Sequence, residues 1–142
     1  MIAIDTNILV YAHRSSTREH KPARRAVERA AMNERGWGIP MPCLAEFWAV
    51  VTHPAAAGRP STPVEASAFL NELAAAGAAF WLPGSGFARR ALHAAERMEI
   101  HGVRIFDLQI AIIAVEAGAV ELWSHDRNFV VFSGLKLIDP IA

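Results

Sequence analysis

The chain has 142 residues, of which 53% are hydrophobic and 20% are charged, and its fourteen basic residues balance fourteen acidic ones. This length is typical of one domain with a substantial core, and the composition excludes a disordered tail. Zero net charge argues against an indiscriminate nucleic-acid binder. A single cysteine, Cys43, excludes an internal disulfide and indicates a reducing compartment.

Targeting signals are not visible in the sequence. The first residues lack the basic and long apolar regions of a signal peptide. The most apolar stretch, residues 105–115, carries an aspartate and a glutamine and is shorter than the ~20 residues that a membrane span needs. We therefore expect a cytoplasmic protein that is not attached to a membrane.

The chain begins with a short apolar run, residues 1–4, which predicts a buried strand. Asp5 follows at its carboxyl end, and apolar residues at helical spacing come next. Thr6 and Asn7 are good N-cap residue types, so a switch from strand to helix is expected here. Asp5 has two open interpretations. It either caps the helix, or it belongs to a site in the crevice where open α/β sheets bind ligands.

The basic residues are concentrated in the segment that follows. Half of them lie within residues 14–35, opposed there by only three glutamates. Such a segment either forms a basic face for phosphate groups or is a solvated helix surface with Arg–Glu pairs. The candidate substrate-binding residues are Arg14, Arg18 and Lys21.

The remaining elements alternate between helices and strands. Helical patterns cover 20–34, a stretch from Pro42, 63–76, 85–99 and 104–117; strand patterns cover 37–40, 79–82, 120–124 and 135–138. We expect the strand at 79–82 to be buried. This order predicts a single α/β domain over residues 1–142, with a mostly parallel sheet flanked by helices.

Two of these helices carry an acid in an apolar context. The helix from Pro42 has an apolar face formed by Leu44, Phe47, Trp48 and Val51. Glu46 lies beside that face, and its spacing alone is also that of an ordinary surface glutamate. Asp107 stands in a helix that is apolar nearly all round. Because an unpaired buried carboxylate is costly, Asp107 is expected to have a cation, a donor or a raised pKa.

Asp126 follows the strand at 120–124, so up to four acids could meet at one end of the sheet. Clustered carboxylates repel one another unless a cation neutralises them. Hard oxygen ligands select Mg²⁺ or Mn²⁺, which also bind phosphate oxygens. The chemistry that suits such a cluster is hydrolysis of phosphodiesters by a metal-bound water.

The sequence resembles the PIN-domain proteins, and among them the VapC-type toxins of bacterial toxin–antitoxin pairs. Four segments carry the resemblance in the family's order and span nearly the whole chain: IAIDTNILVY at 2–11, PCLAEF at 42–47, FDLQIA at 106–111 and LWSHDRNF at 122–129. Each is weak alone, and the four together are specific. Leu108 departs from the pattern, because a small residue is common at that place.

The resemblance implies an endoribonuclease that depends on Mg²⁺ or Mn²⁺, has a PIN-like three-layer sandwich fold, forms homodimers and is inhibited by a cognate VapB-type antitoxin. It maps the acidic cluster, as catalytic and metal-binding residues, onto Asp5, Glu46, Asp107 and Asp126. It maps supporting roles onto Thr6, Asn7 and Ser124, with Asn7 orienting Asp5 and Ser124 contacting the cluster. His125 is interpreted as a polar loop residue rather than a substrate contact.

Three other hypotheses are weighed against this one. A haloacid-dehalogenase-like phosphatase needs a second aspartate two residues after the first, where this chain has Asn7. Zinc binding is disfavoured because the six histidines form no i, i+4 pair and have no cysteine partner. The non-enzyme alternative is a PIN-like module that binds RNA or a protein without cutting.

Overall fold

The computed structural model describes residues 1–56, 58–130 and 132–142, and these contain five strands and six helices. The strands are β1 (Ile2–Ile4), β2 (Trp37–Pro40), β3 (Ala79–Trp81), β4 (Glu121–Trp123) and β5 (Lys136–Ile138). The helices are α1 (Thr6–His13), α2 (His20–Ala31), α3 (Met41–Thr52), α4 (Pro63–Ala75), α5 (Phe87–Arg97) and α6 (Arg104–Glu116). None of these helices is both long enough and apolar enough to cross a bilayer.

The strands form one sheet in the order β3-β2-β1-β4-β5, and every neighbouring pair is parallel. The predicted α/β fold, with a parallel sheet flanked by helices, is confirmed. The central strand β1 is buried throughout, as expected for a strand covered on both faces. From β1 the chain first builds β2 and β3 on one side and then crosses to build β4 and β5 on the other. This reversal opens a crevice beyond the carboxyl ends of β1 and β4.

Close packing between β2 and β3 depends on a glycine. A Cβ on Gly38 would lie 2.5 Å from the ring of Trp81 and 2.8 Å from the carbonyl oxygen of Ala79. Only glycine lets this indole lie against β2 without moving the strand. The short strand at 37–40, which the sequence predicts with the same bounds, is thereby held in the sheet.

Two apolar side chains, Phe80 and Trp48, are more exposed than the strand and helical patterns indicate. The edge strand β3 is largely exposed, with Phe80 38% accessible, so the prediction of a buried strand at 79–82 is wrong. Trp48 on α3 is also exposed, although Leu44, Phe47 and Val51 on the same face are buried. Phe80 is accessible because β3 is an edge strand, with a neighbouring strand on one side only.

Helix boundaries differ from the predicted ones by a few residues. The N-cap of α1 is Asp5 rather than Thr6 or Asn7. Helix α2 ends at Ala31, before the predicted Glu34, and Met32 is its C-cap. The start of α4 matches its sequence signal, since Thr62 and Glu65 form a capping box there.

Candidate active site

Asp5 lies at the crevice between β1 and β4 and is almost completely buried, with 5% of its surface accessible. Its backbone is tied to β4 by a hydrogen bond from the Asp5 N–H to the Trp123 carbonyl (3.0 Å). Its carboxylate oxygen Oδ1 accepts a 2.7 Å hydrogen bond from the Thr6 backbone N–H at the first turn of α1. Asp5 is therefore a helix cap, as one of its two interpretations expected, but this role uses only one of its carboxylate oxygens.

The second oxygen of Asp5, Oδ2, is held by side chains instead. The Ser124 hydroxyl donates to it at 2.6 Å and the Asn7 amide at 3.3 Å. Asn7 also donates to Ser124 Oγ at 3.1 Å and accepts the His125 backbone N–H at 3.0 Å. These contacts fix the orientation of Asp5 from both α1 and the end of β4. They agree with the orienting role expected of Asn7 and with the placement expected of Ser124.

The pKa of the Asp5 carboxyl is raised from 3.8 to about 6, chiefly because burial penalises the charged form. The hydrogen bonds from Ser124 and from the Thr6 backbone lower it. The negative charges of Glu46 and Asp107 raise it. Asp5 therefore stands within electrostatic reach of two of the other three predicted acids.

Glu46 reaches this crevice from α3 and is half-buried. The Thr6 hydroxyl donates a 2.7 Å hydrogen bond to Glu46 Oε2. Thr6 thus links Asp5, through its backbone, to Glu46, through its side chain. Because Thr6 directly follows Asp5 at the start of α1, this bond brings Glu46 to the predicted site.

Asp107 lies in the first turn of α6 and is half-exposed, not buried as the apolar helix pattern suggested. Burial in the helix begins at Leu108, because the first turn projects beyond the packed layer. The pKa of Asp107 is nevertheless raised, first by partial desolvation and then by the charge of Asp126. Glu46 adds to this, whereas the Val130 backbone and Arg104 oppose it.

Asp126 is exposed and sits in the loop that leaves β4. Its backbone N–H donates to Ser124 Oγ at 3.0 Å, and its Oδ1 accepts the Asn128 N–H at 2.8 Å. The second bond is an Asx turn, which shapes this loop locally. Its charge nonetheless acts on Asp107, so all four predicted acids belong to one electrostatically coupled group.

The charges of this group are not neutralised by basic side chains. Among the residues that the structure describes, none of the four acids forms an ion pair with Lys, Arg or His. Arg104 is close enough to lower the pKa of Asp107, but its guanidinium donates to the Asn128 carbonyl at 2.6 Å. Four coupled carboxylates without a paired cation are the donor set that a hard divalent ion prefers.

The described side chains do not form a closed metal cage. Within residues 1–56, 58–130 and 132–142, no three His, Cys, Asp or Glu side chains converge closely enough to hold one ion between them. Mg²⁺ keeps several waters in proteins and is bound by one or two carboxylates. The donor chemistry fits such an ion, with water completing its coordination.

The three basic candidates lie at the end of α1 and around the start of α2. Arg14 is used structurally, since its guanidinium donates to the carbonyls of Val51 (2.8 Å) and Arg59. Arg18 is fully exposed and pairs with Glu19 at 2.9 Å. Lys21 is exposed on α2. None of the three has a hydrogen bond or ion pair to the four acids among the described residues.

Two residues at the site, Cys43 and Arg104, were not among the site residues predicted from the sequence. Cys43 is fully buried, its thiol lies 3.8 Å from Asp5 Oδ1, and its pKa is raised well above the usual value, chiefly by burial. Arg104 stands three residues before Asp107 on α6. Helical spacing could have identified both residues, because side chains three positions apart share a helix face. Cys43 shares a face with Glu46 in this way, and Arg104 with Asp107.

Comparison with known proteins gives consistent matches over the full length. The PIN domain family model matches residues 2–135. The VapC ribonuclease Mb2897 of Mycobacterium bovis is 36% identical over 142 residues, which cover 99% of this chain and 96% of that protein. Ribonuclease VapC43 of Mycobacterium tuberculosis has the same identity and coverage.

Solved structures show the same fold at lower identity. The sarcin–ricin loop cleaving toxin VapC20 of M. tuberculosis matches with a TM-score of 0.69 and 12% identity, over 91% of this chain and 92% of that one. A chain of the Rickettsia felis VapBC2 complex, bound to a DNA fragment from its promoter, matches with a TM-score of 0.66 and 21% identity, over 97% and 98%. At these identities the structural matches establish the fold alone.

Proposed function

We propose a function from one premise: the chain belongs to the PIN domain family and, within it, to the VapC ribonucleases. On that premise it is an endoribonuclease and the toxin of a type II toxin–antitoxin pair, and it hydrolyses RNA phosphodiester bonds with Mg²⁺ or Mn²⁺. The observation that carries the proposal is the group formed by Asp5, Glu46 and Asp107 with Asp126. The charges of Glu46 and Asp107 raise the pKa of Asp5, and those of Asp126 and Glu46 raise the pKa of Asp107. None of the four acids has a basic ion-pair partner among the described residues.

Asp5 and Asp107 are proposed as the principal metal ligands, and Glu46 and Asp126 as further ligands or groups that position water. When bound, the ion supplies an activated water and stabilises the charge of the phosphodiester oxygens. Ser124 and Asn7 hold the Asp5 carboxylate in one orientation. Thr6 does the same for Glu46. The protein thus fixes the orientation of two of the acids, Asp5 and Glu46, before the ion and the RNA bind.

The proposed partners are an RNA substrate, a VapB-type antitoxin and a second copy of the chain. Exposed apolar side chains next to the acids support a protein partner at the cleft. Val103 and Phe106 precede Asp107 in the chain, with 78% and 52% of their surfaces accessible, and Trp48 lies two residues after Glu46. An apolar surface of this kind marks interaction sites. The homodimer is proposed from the family resemblance. A cytoplasmic location is proposed because the substrate would be cellular RNA.

The test is to incubate antitoxin-free protein with total bacterial RNA, with and without Mn²⁺ or Mg²⁺, beside the Glu46→Gln variant. Glu46 is chosen because, unlike Asp5, it caps no helix. The matched control is Glu72→Gln, at an exposed glutamate on α4. We expect discrete fragments that require both the metal and Glu46 and that Glu72→Gln still produces. Sequencing the fragment ends then identifies the cleaved site.

Two outcomes would contradict the proposal. If the folded parent protein cuts no RNA and binds no Mn²⁺, the chain is a non-catalytic PIN-like binding module. If Glu46→Gln cuts as fast as the parent, Glu46 has no role in the reaction.

The Thr6 hydroxyl offers a prediction about the support of Glu46. Thr6→Val keeps the side-chain shape and removes the 2.7 Å hydrogen bond to Glu46. Loss of such a supporting contact typically lowers metal affinity or activity by about tenfold or more. We expect cleavage to need correspondingly more Mn²⁺, with little change in melting temperature. Thr52→Val, which removes a hydroxyl bonded to a carbonyl within α3, is the control. An unchanged Mn²⁺ dependence in Thr6→Val would show that Thr6 does not support Glu46 in the reaction.

A further inference from the structure

A histidine–aspartate pair lies beside the acidic group, at the same end of the sheet. His125 follows β4 and Asp139 follows β5, and His125 Nδ1 lies 2.8 Å from Asp139 Oδ2. The other oxygen of Asp139 accepts the Ile141 N–H at 3.1 Å. Asp139 is therefore held in place independently of the histidine. Neither side chain of the pair is hydrogen-bonded to the four acids among the described residues.

Two further contacts hold His125, one through its backbone and one through its ring. Its backbone N–H donates to Asn7 Oδ1 at 3.0 Å, which ties it to the residue that orients Asp5. The Tyr11 ring meets it edge-on, with ring centroids 6.0 Å apart and planes at 79°. A solvated loop histidine would not have three such constraints. The interpretation of His125 as only a polar loop residue does not account for them.

The contact with Asp139 determines what the ring offers to a ligand. A carboxylate can only accept, so in the neutral imidazole it holds the ring proton on Nδ1 and leaves the lone pair on Nε2. Nε2 has no hydrogen-bond partner among the described residues, and it is not a buried atom. The pair thus presents a fixed, solvent-accessible hydrogen-bond acceptor one residue away from both Ser124 and Asp126.

Basic side chains continue from this acceptor along the start of α2. Glu19 lies within electrostatic reach of His125, and the exposed Arg18 pairs with Glu19 at 2.9 Å. Lys21 is exposed one turn further on. An RNA strand with one phosphodiester at the acids would pass His125 with its adjacent sugar and then meet these cations. The donor that an RNA backbone offers to an acceptor is the ribose 2′-hydroxyl, which DNA lacks.

We infer that His125 Nε2 accepts a hydrogen bond from the 2′-hydroxyl of a nucleotide next to the cleaved bond, and that the His125–Asp139 pair makes the cleft select RNA over DNA. This inference rests on the proposed ribonuclease activity and adds a sugar-specific contact to it. His125 is a specificity residue here, and Asp139 acts through it as a positioning residue.

The test pairs single-atom changes in the substrate with changes in the protein. The substrate is a short RNA containing the site that the parent protein cuts, made as a series with one 2′-deoxy nucleotide at each position flanking that site. We expect one position at which the deoxy change lowers kcat/KM of the parent about fivefold, the effect of one hydrogen bond. His125→Ala should be slower by a similar factor on the all-RNA substrate, chiefly through KM, and should be indifferent to the deoxy change there. His93→Ala, at an exposed histidine of α5, should behave like the parent.

Several results would overturn the inference. A His125→Ala variant that cuts normally, or that stays as sensitive to the deoxy change as the parent, has no role in reading the sugar. A parent that tolerates deoxy substitution at every flanking position makes no such contact. If His125→Ala does not fold, His125→Gln, whose amide oxygen can accept, should restore folding and part of the deoxy sensitivity; full insensitivity in a folded His125→Gln also counts against the contact. Failure of the parent to cut any RNA would instead overturn the proposed function itself.

Discussion

Asp107→Asn should abolish RNA cleavage, lowering kcat/KM by about a thousandfold or more, while the fold stays intact. The substitution removes one charge at nearly constant volume, in a side chain that the structure leaves half-exposed in the first turn of α6. A proposed metal ligand is thereby lost, and with it several kcal/mol of transition-state stabilisation. The measurement is single-turnover cleavage of an RNA containing the parent's site, at saturating Mn²⁺. Glu96→Gln, at an exposed acid of α5, is the control.

The same variant should not be less stable than the parent when metal is absent. The pKa of Asp107 is raised by partial burial and by the charges of Asp126 and Glu46, so its ionised form is disfavoured in the folded state. Removing the charge relieves that repulsion. Thermal unfolding in EDTA measures this. Cleavage at the parental rate would remove Asp107 from the site, and a clearly lower melting temperature would show that it has a structural role instead.

The second large effect concerns Asp5 and the pH dependence of stability. The pKa of Asp5 is 3.8 in the unfolded reference and about 6 in the folded protein, so the folded state binds the proton more tightly. The stabilisation from this proton is complete below the lower value and is lost as the pH rises through the higher one. For the metal-free protein the loss amounts to about 3 kcal/mol of the free energy of unfolding, at about 1.4 kcal/mol per pKa unit. Asp5→Asn, which resembles the protonated acid, should lack this loss.

The measurement is urea unfolding in EDTA at about pH 4.5 and about pH 7.5 for parent and variant. Using the difference between the two proteins cancels groups with the opposite sign, such as Glu65, whose lowered pKa favours folding at higher pH. Asp5→Asn should gain stability relative to the parent as the pH rises, and Mn²⁺ at the higher pH should reverse the gain by stabilising the parent alone. Parallel pH profiles of the two proteins in EDTA would mean that burial does not raise the pKa of Asp5.

Local patterns in the sequence sufficed to predict most of the fold. The strand at 37–40 ends at a proline. The start of α4 is marked by a threonine N-cap and a glutamate three residues later. The alternation of strands and helices predicts the parallel sheet, because parallel strands need crossover connections. Asp5 and Asp126 follow strands and Asp107 lies in the first turn of a helix, which predicts their place at one edge of that sheet, whereas Glu46 lies in the middle of α3.

What the sequence could not predict depends on which elements become neighbours. Leu92 has the spacing of an inward residue in α5 but is 68% accessible, because that helix packs mainly against α6. Phe80 lies on an edge strand that local pattern cannot distinguish from a central one. The pairing of His125 with Asp139 requires β4 and β5 to be adjacent, which is a property of the strand order.

The double use of Asp5 affects how activity is judged in related chains. Since this carboxylate also caps α1, a descendant that no longer cuts RNA would still be under selection to keep it for folding. Its presence is thus weak evidence that a given relative is an active nuclease. Glu46 accepts a hydrogen bond from the Thr6 hydroxyl and is the cap of none of the six helices. Decay of function would be expected to appear first at Glu46, and that position is the better marker for separating working toxins from inactive copies.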